Sequence, residues 1–185
     1  MKKILISVIA ILFTSNAFAT DKTLDACFSY WKGQDYQKAI VSGKKAVKSS
    51  PKTFDSHFCL GVSYTKIGEF KLAIGELNNA ATLATNKKDL AAAASYLGIT
   101  YQDMGESEKA VIQYNRQLVI NRELNDPRGI ASALSNLAGT YQDKLQYDKA
   151  LQYYQESLDI NPNELGKSTA YSNIASLLRE QQKYD

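Results

Sequence analysis

The chain has 185 residues, 44% of them hydrophobic, with only three prolines and a formal charge of +3. That composition excludes a disordered chain. One His, two Cys, no glycine-rich phosphate loop, no H-E-x-x-H and no Cys/His set at metal spacing give no ground to expect a cofactor or a metal.

Residues 1–19 differ from the rest. Lys2 and Lys3 precede an apolar run from Ile4 to Phe13, and Ala17-Phe18-Ala19 closes the segment. A basic start, a run too short to span a bilayer and an A-x-A end predict a secretory signal peptide, cut between Ala19 and Thr20. Leu24-Asp25-Ala26-Cys27 superficially resembles the motif before a lipidated Cys, but Asp21, Lys22 and Asp25 separate it from the apolar run. Removing two Lys and no acid lowers the formal charge from +3 to about +1, which is not the basic footprint of a nucleic-acid binder. No later stretch is apolar enough for stable membrane insertion, so the mature chain is expected to be exported, most simply to the periplasm. There Cys27 and Cys59 can form a disulfide or stand as two small buried residues.

From residue 20 onward the chain repeats itself. Tyr101–Asn121 and Tyr141–Asn161 share Tyr-Gln-Asp, a Lys-Ala pair and a Tyr four residues after that Ala. The pattern Leu-(Gly/Ala)-x-x-Tyr followed by Ala-x-x-x-(Tyr/Leu) resembles the tetratricopeptide repeat (TPR) family, whose period is about 34 residues. Ala39 and Ala73 stand one such period apart, while the interval from Ala110 to Ala150 is longer. The resemblance implies an all-α, right-handed α-solenoid of stacked helix-turn-helix units with small residues where helices cross.

Repeat 1 spans about 20–53 and is irregular, with Ala26 where Leu is usual and Gly43 where an aromatic is usual. Repeat 2 (54–87) carries Leu60, Gly61, Tyr64, Ala73 and Leu77 in register. Repeat 3 (91–124) has Leu97, Gly98, Tyr101, Ala110 and Tyr114, with Gln117 replacing the last small residue. Repeat 4 (131–164) has Leu137, Ala138, Tyr141, Ala150, Tyr154 and Ser157. The longer period between repeats 3 and 4 implies longer helices, and with Asp126-Pro127-Arg128-Gly129 it resembles the repeats of kinesin light chains and the Leu-Gly-Asn scaffolds. A partial repeat 5 (168–185) includes Tyr171, Ile174 and Leu178, and its missing second helix suggests a truncated array.

The residues point away from catalysis. His57 and Cys59 are two apart on a helix and cannot face one another; His57 is expected to be a partly buried, hydrogen-bonded side chain. Family resemblance instead places a working surface on the groove made by the first helices, and implies a peptide or protein ligand. Its groove positions carry Phe28 and Trp31 in repeat 1, Phe58 and Lys66 in repeat 2, and Tyr96 and Gln102 in repeat 3. Repeat 4 supplies Asn136 and Gln142, and repeat 5 supplies Asn173 and Arg179. Asn136 and Asn173 share one repeat position, where an amide offers both donor and acceptor to a peptide backbone. The set runs from aromatic to polar along the array. The expected function is an adaptor or assembly scaffold; the alternatives are a self-associating envelope protein, or the repeat region of a larger signalling or enzymatic protein.

Overall fold

The computed structural model describes residues 22–182, and within them every element is a helix. They are α1 (Lys22–Lys32), α2 (Tyr36–Ser49), α3 (Phe54–Lys66), α4 (Phe70–Leu83), α5 (Lys87–Asp103), α6 (Ser107–Glu123), α7 (Pro127–Asp143), α8 (Tyr147–Ile160) and α9 (Glu164–Gln181). α1, α3, α5 and α7 each pack on the even helix that follows, α9 packs on α8, and α1, α3, α5 and α7 also touch in succession. The result is an all-α helical-repeat solenoid with one face built by the odd helices. The expected signal peptide lies outside the described residues.

The longer period appears as longer helices: α5, α6 and α7 have 17 residues each, against 13 in α3 and 14 in α4. The added turn is N-terminal to the repeat starts: α5 begins at Lys87, ahead of Ala91, and α7 begins at Pro127, ahead of Ala131. Asn86 and Asp126 cap these turns through their side chains, accepting from the amides of Asp89 and Arg128. A capped start lets the helix begin early without leaving its first amides unpaired.

Inside each pair one small residue faces one large one. Gly61 lies against Leu77 and Gly98 against the Tyr114 ring, each so close that an added Cβ has no room. Ala138 and Tyr154 share a core cluster in the next repeat. Repeat 1 inverts the order. Cys27 and Cys59 are disulfide-bonded, with Cα atoms 6.4 Å apart, and a Cβ on Gly43 would sit 3.1 Å from the Cys27 sulfur and 3.2 Å from Leu60 Cβ. Sulfur and Leu60 fill the space that a large side chain occupies elsewhere, which accounts for the missing aromatic.

The turns between paired helices close alike. Gln34, Gly68, Gly105 and Leu145 all have positive φ, and in each turn the following amide reaches the carbonyl of a tyrosine: Tyr30, Tyr64, Tyr101 or Tyr141. This is the Schellman closure, which favours glycine at its left-handed position. Repeats 1 and 4 use Gln34 and Leu145 there instead.

Candidate functional site

The face of the odd helices changes character along its length. At the N-terminal end the rings of Trp31 and Phe58 both meet Tyr96 edge-on, with centroids 6.4 and 5.3 Å away, and Phe54 stacks on Phe58 at 5.0 Å. Phe28 packs beside the disulfide. These groups fill one another's spaces, so this end of the face is a packed aromatic surface. Lys66 stands exposed at the end of α3.

Further along, the odd helices leave room between them. A cleft of about 400 Å³ separates α5 from α7, lined by Ala91, Ser95 and Tyr96 on one side and Gly129 and Ser132 on the other. A second of about 340 Å³ separates α7 from α9, lined by Ala131, Ser135, Asn136, Gly166 and Thr169. Ser132 lines both. The clefts are repeat equivalents, because Ala91, Ser95, Tyr96 and Asn121 of the first recur one period on as Ala131, Ser135, Asn136 and Asn161 of the second. Each is bordered by the same device, an Asn at the end of one repeat packed on a Gly at the start of the next. An added Cβ on Gly129 would come within 2.5 Å of the Asn121 amide, and one on Gly166 would meet Asn161.

The two glutamines expected in the groove serve the array itself. The Tyr114 hydroxyl donates to Gln102 Oε1 at 2.9 Å, and Gln102 Nε2 donates to Asp143 of the next repeat at 2.7 Å. Tyr154, Gln142 and Glu180 repeat this relay at 3.2 and 2.5 Å. Both ends of each amide are therefore engaged within the protein, a structural role that their spacing in sequence did not reveal. Burial pushes the Tyr114 and Tyr154 hydroxyls to higher pKa, and the carboxylates Asp103 and Asp143 beside Tyr114, with Asp143 and Glu180 beside Tyr154, add to it.

Asn136 lies in the second cleft, with its carbonyl accepting from Thr140. Its repeat equivalent Asn173 is half-buried on α9 and is not among the cleft residues. Arg179 bonds the Ala175 carbonyl of its own helix at 3.2 Å. His57 is buried; its two ring nitrogens face Glu76 at 2.6 Å and the Pro51 carbonyl at 2.9 Å, a fully partnered side chain. Among the described residues no group of three or more His, Cys, Asp or Glu is placed to hold a metal ion, and no helix is long and apolar enough to cross a membrane.

A family model described as tetratricopeptide repeat matches residues 129–185, where the small-large pair and the helix hairpin of α7 and α8 are regular. The chain belongs to the tetratricopeptide repeat family. A second model, described as ChAPs (Chs5p-Arf1p-binding proteins), matches residues 12–148 and so groups most of the chain with that family. These are families of protein-interaction scaffolds, and this TPR chain is a scaffold of that kind. No curated protein matches the sequence. Among solved structures, MamA is 25% identical, with 88% of this chain and 86% of that one covered and a TM-score of 0.61. PilF of Pseudomonas aeruginosa is 21% identical over 89% of this chain and 69% of its own, with a TM-score of 0.69. TTC0263 of Thermus thermophilus is 20% identical over 84% and 79%, with a TM-score of 0.70; at these identities the last two speak for the fold alone.

Proposed function

We propose that this TPR protein is exported and holds an extended segment of a partner protein along α5, α7 and α9, acting as an adaptor or assembly scaffold. The observation that carries the reading is the pair of repeat-equivalent clefts, whose hydroxyl and amide groups recur at the period of the fold. Hydrogen-bonding groups spaced along a preformed groove suit an extended chain, which has donors and acceptors along its whole length. The family described as Chs5p-Arf1p-binding proteins offers a parallel in protein binding. Export is supported by the disulfide, since such bonds persist in oxidising compartments. With its sulfur bonded to Cys59, Cys27 has no thiol left for lipid attachment.

Ser132 tests the groove, because it lines both clefts at once. A displayed library of random dodecapeptides, selected on the oxidised protein, should yield a recurring motif. Binding of the corresponding synthetic peptide should weaken at least tenfold in Ser132→Arg and stay unchanged in Ile112→Arg, on an exposed position of α6. Equal binding to both variants would remove the groove from the reading. Export is checked separately by fractionation and by the N-terminal mass of the mature chain, expected to begin at Thr20.

A further inference from the structure

We propose that the α5/α7 cleft is a pocket for an uncharged amide side chain, Asn or Gln, of the bound segment, and that Gln117 is the residue that selects it. The inference rests on the groove reading above and names what one part of the groove accepts.

Gln117 occupies the repeat position where the family pattern has a small residue. It is only 5% exposed, it lines the cleft, and its amide oxygen is sealed from solvent without a hydrogen-bond partner. The equivalent residue in the next repeat shows how the position is closed when nothing is left over. There Ser157 donates to the Ala131 carbonyl at 2.9 Å and shares a hydrogen bond with Ser135 at 2.8 Å. Ala91 and Ser95 stand in the corresponding places beside Gln117, yet its oxygen is left unmatched. A buried acceptor without a partner is disfavoured in a folded protein and is satisfied when a ligand brings a donor.

The surroundings narrow that donor. Lys88 and Asp126 line the same cleft and carry opposite formal charges, and the Asp126 carboxylate already accepts from the Arg128 amide. The site therefore has no surplus negative charge to offset a buried ammonium or guanidinium. A carboxylate has no proton to give Gln117. A primary amide donates through its nitrogen to the Gln117 oxygen, while its carbonyl finds donors in the hydroxyls of Ser95 and Ser132. The Tyr96 ring supplies an apolar wall for the methylenes of such a side chain.

The same peptide selection decides the point, run on the wild type, on Gln117→Ala, which restores the family's small residue, and on Gln117→Glu. Thermal melts by circular dichroism verify that all three are folded. The wild-type motif should hold Asn or Gln at one fixed position, and replacing that residue by Leu in the synthetic peptide should weaken wild-type binding at least tenfold but Gln117→Ala binding less than threefold. Gln117→Glu should shift the preferred residue toward Lys or Arg. A motif blocked by Ser132→Arg but with no amide position, or one indifferent to Gln117→Ala, overturns the pocket and leaves the groove standing. A selection that yields no motif, or one indifferent to Ser132→Arg, overturns both.

Discussion

Across α1 and α3 the array is closed by a disulfide and by rings that fill one another's spaces, whereas across α5, α7 and α9 it is opened by two clefts lined with hydroxyls and amides. The two regions share one repeat plan and differ in what fills the gap between successive odd helices. Where side chains are large and apolar the gap becomes core. Where they are Ala, Ser and Gly it stays a cleft, and the polar backbone and side-chain groups that border it must be matched locally or by a ligand. The described repeats thus divide between a packed, disulfide-bonded N-terminal end and a C-terminal stretch whose clefts stay open.

The comparison would break most visibly at the disulfide. It closes a loop with a sequence separation of 32, so Cys27→Ser with Cys59→Ser should lower stability by roughly 3–4 kcal/mol by loop-closure entropy. Urea melts with and without reductant check this, and the loss should be largest in hydrogen-exchange protection of α1 to α3. A loss spread evenly over all helices would show that the N-terminal end is not a separate rigid unit.

Next comes the small-large pair. Gly98→Ala pushes a methyl group into the Tyr114 ring, and overpacking of this kind costs about 1–3 kcal/mol. Gly75→Ala has open space around it, so it should be neutral or slightly stabilising, because alanine favours a helix interior by up to about 1 kcal/mol. Chemical denaturation of the two variants sharpens the distinction between packed and open positions.

The tyrosine relays give a smaller effect with a pH signature. Tyr114→Phe removes the donor to Gln102 and should cost about 1 kcal/mol at neutral pH. Because the folded-state pKa of the Tyr114 hydroxyl is raised above its ordinary value of 10.0, its stabilising contribution is complete below pH 10 and is lost as pH rises through the folded value. Wild-type stability should therefore fall more steeply above pH 10 than that of Tyr114→Phe, as measured by denaturant midpoints. The smallest change is at a turn: Leu145 is 57% exposed with φ 57°, and Leu145→Gly should stabilise by roughly 0.5–1 kcal/mol by relieving the left-handed conformation. Gly68 and Gly105 already hold the equivalent place.

Much of the fold was legible because its rules are local. The large residue four after the Ala in repeats 2 to 4 (Leu77, Tyr114 and Tyr154), and the Gly or Ala opposite it, state which helices cross and how closely, and the longer period from Ala110 to Ala150 announced the longer helices α6 and α7. The start of α5 at Lys87 was missed because an Asn86 cap extends a helix that the repeat pattern alone would begin later. In the site, Asn136 lines the cleft between α7 and α9, but repeat position alone does not separate it from Gln102 and Gln142. Those amides are consumed by partners on the following helix and in the following repeat. Gln117 carried a signal, its departure from the small residue expected there, whose meaning needed the burial and the orphaned oxygen.

By itself, then, the sequence determined the helical period, the pairing of small with large residues and membership in a repeat class, since each follows from residue size at fixed spacing. Only the tertiary structure decided that Cys27 and Cys59 meet, that Gly43 makes room for their sulfur and for Leu60, and that the gaps along α5, α7 and α9 remain open. Those outcomes depend on distances between helices that no spacing along one helix can encode.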